Sequence, residues 1–146
     1  MNKRLAAAAV LFLFSLSCAG SSTDPGPSIT FSAQSSKCVA HTSPGVNRLD
    51  SLFIYSFTDS LTLDFSVTAN CCPDSNRFLI SQITGTDTLF ITVADTTVQG
   101  CHCVCPYLIH ARFDSLPFDR YIVRCRLCAS GDCDDPIYLE EVVRTR

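Results

Sequence analysis

The chain has no tryptophan, one methionine and few charges: 17% of its 146 residues are Asp, Glu, Lys or Arg. Sparse charge beside 47% hydrophobic residues excludes a disordered chain and requires a packed core. The length admits one domain, with or without an appendage, and excludes a large multidomain enzyme. Basic residues are not in excess. The formal net charge is −3, so the chain lacks the electrostatic footprint of a nucleic-acid binder. Beyond the first segment, no window of eleven or more residues carries a helical apolar stripe. No serine sits in a nucleophile elbow, and no glycine-rich phosphate loop is present. No internal repeat is visible.

What is present begins with a leader. Met1-Asn2-Lys3-Arg4 is positive, and Leu5 to Leu16 is uncharged and apolar. That order matches a secretory signal, and the run is too short to span a bilayer. Residues 1–17 are therefore read as a signal peptide. The segment ends in Ser15-Leu16-Ser17-Cys18-Ala19-Gly20, which resembles the lipobox of bacterial lipoproteins. There a cysteine after a small residue is lipidated and becomes the mature N-terminus. Ser17 and Cys18 fit; Ser15 stands where that family usually has Leu, Val or Ile. The resemblance implies lipidation of Cys18. The alternative is ordinary cleavage after Ser17, which leaves Cys18 a thiol. Residues 18–28 follow as anchor and flexible tether, since Ala19 to Ser28 is small, polar and interrupted by two prolines. Of the 11 basic residues, removal of Lys3 and Arg4 leaves nine against 14 acidic ones. Such a surface offers no basic patch to anionic lipid, so contact with the membrane is expected through the lipid alone.

Residues 29–146 read as one domain with a hydrophobic period of two. In Leu61-Thr62-Leu63-Asp64-Phe65-Ser66-Val67-Thr68-Ala69 every odd position is apolar, the mark of a half-buried strand. Cys71 continues that face and Cys72 falls on the other. Arg77 to Ile83 and Thr88 to Val93 flank the turn Thr84-Gly85-Thr86-Asp87 and form a hairpin. Further strands are expected at Ser28–Ala33, Leu52–Phe57, Cys101–Phe113, Arg120–Cys128 and Ile137–Val143. The expected fold is all-β: an antiparallel β-sandwich of seven to eight strands, stapled by disulfides. The stretch from Phe113 to Val123 sharpens this. Leu116, Pro117 and Tyr121 resemble the corner before the penultimate strand of fibronectin-type and other immunoglobulin-like domains. The resemblance implies an immunoglobulin-like sandwich in which the Tyr121 hydroxyl bonds back to the corner backbone.

Ten cysteines in a chain this short point away from a reducing cytosol unless they hold metal. The concentrated stretches are Asn70-Cys71-Cys72-Pro73 and Cys101-His102-Cys103-Val104-Cys105. Residues two apart on a strand sit about 6.5–7 Å apart, too far to pair with one another. Cys101, Cys103 and Cys105 must reach elsewhere, and Cys71 and Cys72 at a strand end are their natural partners. Cys128 and Cys133 bracket Ala129-Ser130-Gly131-Asp132 and are placed to staple the last hairpin. The same sulfurs, with His102 and His110 nearby, raise the alternative of a copper or zinc site. The Cys-x-Cys-x-Cys spacing spreads sulfurs too widely on a flat strand for three to converge on one ion. Cys125-Arg126-Leu127-Cys128 has a redox spacing but no helix N-terminus to activate a thiol. Cys18 set aside, nine cysteines remain, so at least one is left over.

His102 and His110 are expected on the even face of one strand, about 27 Å apart, too far to cooperate. The run Asp132-Cys133-Asp134-Asp135 offers carboxylates for calcium, and a solvated hairpin loop is the plainer reading. Glu140-Glu141 marks an exposed edge strand. Taken with the lipobox-like start and the Leu-Pro…Tyr corner, the Asn70–Pro73 and Cys101–Tyr107 motifs give the chain a resemblance to small exported bacterial lipoproteins of uncharacterised role. The expectation is a non-enzymatic lipoprotein of the bacterial cell envelope, a binding or structural module without cofactor. Its expected contacts are the membrane through its lipid and a protein or glycan partner. An extracytoplasmic copper- or zinc-binding protein is the rival expectation.

Overall fold

The structure, a computed structural model, describes residues 28–39, 52–72, 77–97 and 102–146. The leader, Cys18, most of the tether, His41 and Cys101 lie outside the described residues. Among the described residues there are nine strands: β1 (Thr30–Ser35), β2 (Phe53–Phe57), β3 (Leu61–Asn70), β4 (Phe78–Thr84), β5 (Thr88–Asp95), β6 (Val104–Asp114), β7 (Arg120–Ala129), β8 (Asp132–Cys133) and β9 (Tyr138–Val143). They form two sheets packed as a sandwich. One has the order β1-β6-β3-β2; the other runs β4-β5-β7, with β8 and β9 both paired to β7.

Alternation along the strands builds the core. Leu61, Leu63, Phe65 and Val67 of β3 and Tyr107, Ile109, Ala111 and Phe113 of β6 are buried. They meet Leu89, Ile91 and Val93 of β5 and Tyr121, Val123 and Cys125 of β7. Burying each large apolar side chain contributes about 1.5–3 kcal/mol before ordering costs. Ser66 breaks the alternation: it is polar on an even position yet buried. Its hydroxyl accepts from Leu52 N–H at 3.2 Å and lies 3.1 Å from the Tyr138 hydroxyl, so it is buried with partners.

The all-β sandwich matches the sequence reading, and three details differ. The strands among the described residues number nine because the last hairpin contributes the short β8. Its turn, Ser130-Gly131, has positive φ at both positions (53° and 91°), as a two-residue hairpin with primed geometry requires. The sheets are also not wholly antiparallel. β5 and β7 pair in parallel, from Thr88↔Ile122 to Asp95↔Ala129. The cause is the path of the chain. Between β5 and β7 it crosses to the other sheet as β6, and a single intervening strand returns it in the original direction. An immunoglobulin-like sandwich is built from antiparallel sheets, and this pair departs from that plan. Strand bounds shift slightly: β1 starts at Thr30 rather than Ser28, and β6 starts at Val104, so His102 precedes the strand expected to carry it.

Candidate functional site: the cysteine-bound end and the outer cleft

The cysteine stretches meet at one end of the sandwich because β3 and β6 are antiparallel neighbours. Their register ends with Asn70 opposite Val104. One step further, Cys71 stands opposite Cys103, and Cys71 N–H donates to Cys103 C=O at 3.2 Å. A disulfide joins this pair across Cα atoms 5.6 Å apart. Cys105, two residues on, turns to the other neighbour of β6. The chain after β1 keeps running beside β6, with Ser36 and Val39 N–H groups donating to Leu108 and Pro106 carbonyls. That places Cys38 5.8 Å, Cα to Cα, from Cys105, and the two are bonded. Cys103 and Cys105 thus tie a central strand to its neighbours on both sides. Cys105 was expected to reach Cys71 or Cys72; it pairs with Cys38 because β1 is the strand on its free flank. Cys38, which local spacing did not single out, becomes visible as a partner only once β1 is placed.

Cys72 is also disulfide-bonded, and its N–H donates to Asn70 Oδ1 at 3.0 Å. Cys128 and Cys133 face each other in the β7–β8 register and are joined, with Cα atoms 4.0 Å apart. The free cysteine among the described residues is Cys125, buried in the core. Burial pushes its thiol up to about 12, which keeps it protonated and unreactive at neutral pH. The sulfurs of Cys71, Cys72 and Cys103 lie within 4.8 Å of one another. All three are oxidised as disulfides, and a thiolate, not a disulfide sulfur, is the metal ligand.

Beneath the cysteines sits a buried arginine that sequence reading missed. Arg77, only 2% exposed, forms an ion pair with Asp95, whose Oδ1 also accepts from Arg77 Nε at 3.2 Å. Its Nη1 donates to Asn70 C=O and, at 3.1 Å, to the Tyr107 hydroxyl. Tyr107 in turn donates to Asn70 C=O at 2.9 Å. The guanidinium lies 5.2 Å from the ring centroids of both Phe78 and Tyr107. Desolvation works against the Arg77 charge, but the hydrogen bond and charge of Asp95 outweigh it and raise its pKa. Asp95 is likewise opposed by desolvation and still held below the ordinary carboxylate range by Arg77 and the Thr97 N–H. This network links the strands of both sheets. The only sequence signal was an arginine opening a strand pattern, which ordinarily marks a surface residue.

The remaining candidates stay apart. His102 is exposed ahead of β6. His110 lies half-exposed on the outer face, its Nδ1 2.7 Å from Asp64 Oδ1 in the adjacent register position. Asp132, Asp134 and Asp135 are exposed. Asp134 and Asp135 border an open cleft of about 310 Å³ on the outer face of the second sheet. Phe90, Thr92, Arg124 and Arg126 line its other side; Arg124 stacks over Phe90 at 5.9 Å, and Arg126 Nε donates to Thr92 Oγ1 at 3.0 Å. At the far end of the sandwich, Phe118 N–H donates to the Tyr121 hydroxyl at 3.2 Å, and Leu116 and Tyr121 are buried.

No family model matches this chain, and comparison with curated proteins and solved structures gives no match either. Several disulfides in a small domain indicate an extracytoplasmic protein. Among the described residues no helix is long and apolar enough to cross a membrane.

Proposed function

We propose that the chain is a non-enzymatic binding or structural module of the bacterial cell envelope, tethered through a lipid on Cys18. The observation that supports this reading is the use of the cysteines. They close strand-to-strand staples, and the free thiol among the described residues is buried with a pKa far above neutral. Sulfur here serves stability outside the cytosol rather than chemistry. Binding of a protein or glycan falls to the outer face, where the cleft joins an aromatic ring to two guanidiniums. Kinship with immunoglobulin-like domains rests on the Leu116–Tyr121 corner, and the parallel β5–β7 pair weighs against it. Intact-mass measurement of protein purified from its native membrane tests the reading. It should show loss of residues 1–17, acylation at Cys18 and a single titratable thiol after unfolding. An unacylated chain confined to the soluble fraction would sink the tethered part.

The proximity of Cys71, Cys72 and Cys103 supports the rival, a copper- or zinc-binding protein. It requires those sulfurs to be thiolates when metal is bound. Metal analysis of protein made in an oxidising compartment separates the readings: stoichiometric copper or zinc favours the rival, and metal-free protein with one thiol favours the module.

A further inference from the structure

Strand edges expose unpaired backbone groups, and folded proteins protect them with charge, proline or cover. The edges of this sandwich differ in that protection. β9 carries Glu140 and Glu141. β2, likewise without charge or proline, is capped at one end, where Thr145 N–H donates to Phe57 C=O at 2.7 Å, and its exposed Ile54 and Tyr55 are neighbours on opposite faces rather than a pair on one face. β1 turns the small or polar Thr30, Ser32 and Gln34 outward. β4 reads Phe78-Leu79-Ile80-Ser81-Gln82-Ile83-Thr84, with no charge and no proline. It pairs with β5 on one side, and among the described residues no backbone hydrogen bond reaches its other side. Its two outward apolar side chains, Leu79 and Ile83, are 65% and 69% exposed, with the small Ser81 midway between them.

We propose that β4 is a self-pairing edge: two copies of the chain join antiparallel through β4 about a two-fold axis at Ser81, continuing the second sheet from one copy into the other. The register selects this occupant. A two-fold at Ser81 sets Leu79 of each copy opposite Ile83 of the other, twice, and Ile80 opposite Gln82. The most exposed apolar residues of the edge then cover one another on one face, as an isologous contact requires. Charge agrees, because two neutral edges meet without repulsion, whereas β9 would bring two carboxylates to a neutral strand. A seven-residue edge about 23 Å long and about 10 Å deep covers roughly 230 Å² per copy, against about 800 Å² in a standard stable interface. The dimer is therefore weak and concentration-dependent. The pairing needs neither anchor nor ligand, so it stands or falls separately from the function proposed above.

Sedimentation velocity over a wide concentration range tests it, together with the S81C variant and the double variant Leu79→Lys, Ile83→Lys. The natural chain should move from monomer towards dimer as concentration rises. The double variant should stay monomeric to at least tenfold higher concentration with an unchanged melting temperature, because both side chains are already largely exposed. Air oxidation of S81C should give a covalent dimer whose peptide map links position 81 to position 81, while S32C on the β1 edge gives none. A natural chain that stays monomeric throughout, with no covalent dimer from S81C, overturns the proposal. So does dimerisation that persists in the double variant.

Discussion

The two ends of the sandwich each stack an arginine on aromatic rings, yet they are secured in different ways. At the cysteine-bound end Arg77 is buried between Phe78 and Tyr107 and paired with Asp95, and disulfides close the strands above it. At the opposite end Arg144 lies 4.5 Å from the Phe57 ring centroid and 3.0 Å from Asp119, with a 22% exposed side chain. It donates to Leu116 C=O at 2.8 Å, beside the Tyr121 corner, and no disulfide among the described residues lies there. The difference follows from solvation. A partly exposed arginine keeps some contact with water and tolerates imperfect geometry. A buried one must have every donor placed, and covalent ties between β3, β6 and the chain after β1 hold its acceptors in position.

The largest break in this comparison should come from Asp95→Ala. Removing the carboxylate leaves a buried guanidinium without its counter-charge, a loss of about 3–5 kcal/mol by denaturant titration. The matching change at the other end, Asp119→Ala, should cost less than about 1 kcal/mol, because the carboxylate is about half exposed and the arginine it leaves keeps contact with water and with backbone carbonyls. A similar cost for the two would erase the distinction between the ends.

Staples come next and should scale with the chain they close. Replacing Cys38 and Cys105 together by Ala, 67 residues apart, should cost about 4 kcal/mol. Replacing Cys128 and Cys133, five apart, should cost about 2 kcal/mol. Equal losses in thermal and chemical unfolding would contradict the loop-entropy account.

Tyr121→Phe should cost about 1 kcal/mol, the net worth of one hydrogen bond to a partly buried Phe118 N–H. Near neutral pH the smallest effects are those of pH itself. Asp95 has a lowered folded pKa, so its contribution is full above the ordinary carboxylate value and is lost as pH falls through the lowered one. Cys125 has a raised pKa, so its contribution is full below the ordinary thiol value and is lost as pH rises towards about 12. Stability measured against pH should therefore decline at both extremes. Asp95→Asn should flatten the acid side and Cys125→Ala the alkaline side.

Much of the fold was legible from strict alternation. Leu61, Leu63, Phe65, Val67 and Ala69 read as one buried face, and all five are buried. The β4–β5 hairpin was legible because its turn and both its strands are contiguous in sequence. Cys128 and Cys133 were legible together for the same reason. The Cys38–Cys105 bond was not, because it depends on which strand lies beside β6. Arg77 was not, because burial of a charge depends on partners 7, 18 and 30 residues away.

Sequence alone determined the period of two, the faces of the strands and the local hairpins, since each depends on side chains within a few residues of one another. Tertiary structure decided that, among the described residues, Cys125 is the free thiol and β4 lies at a sheet edge with Leu79 and Ile83 exposed, and that β5 and β7 run parallel. Those outcomes depend on which strands become neighbours, and pairing across tens of residues is set by the packing of the two sheets rather than by any local pattern.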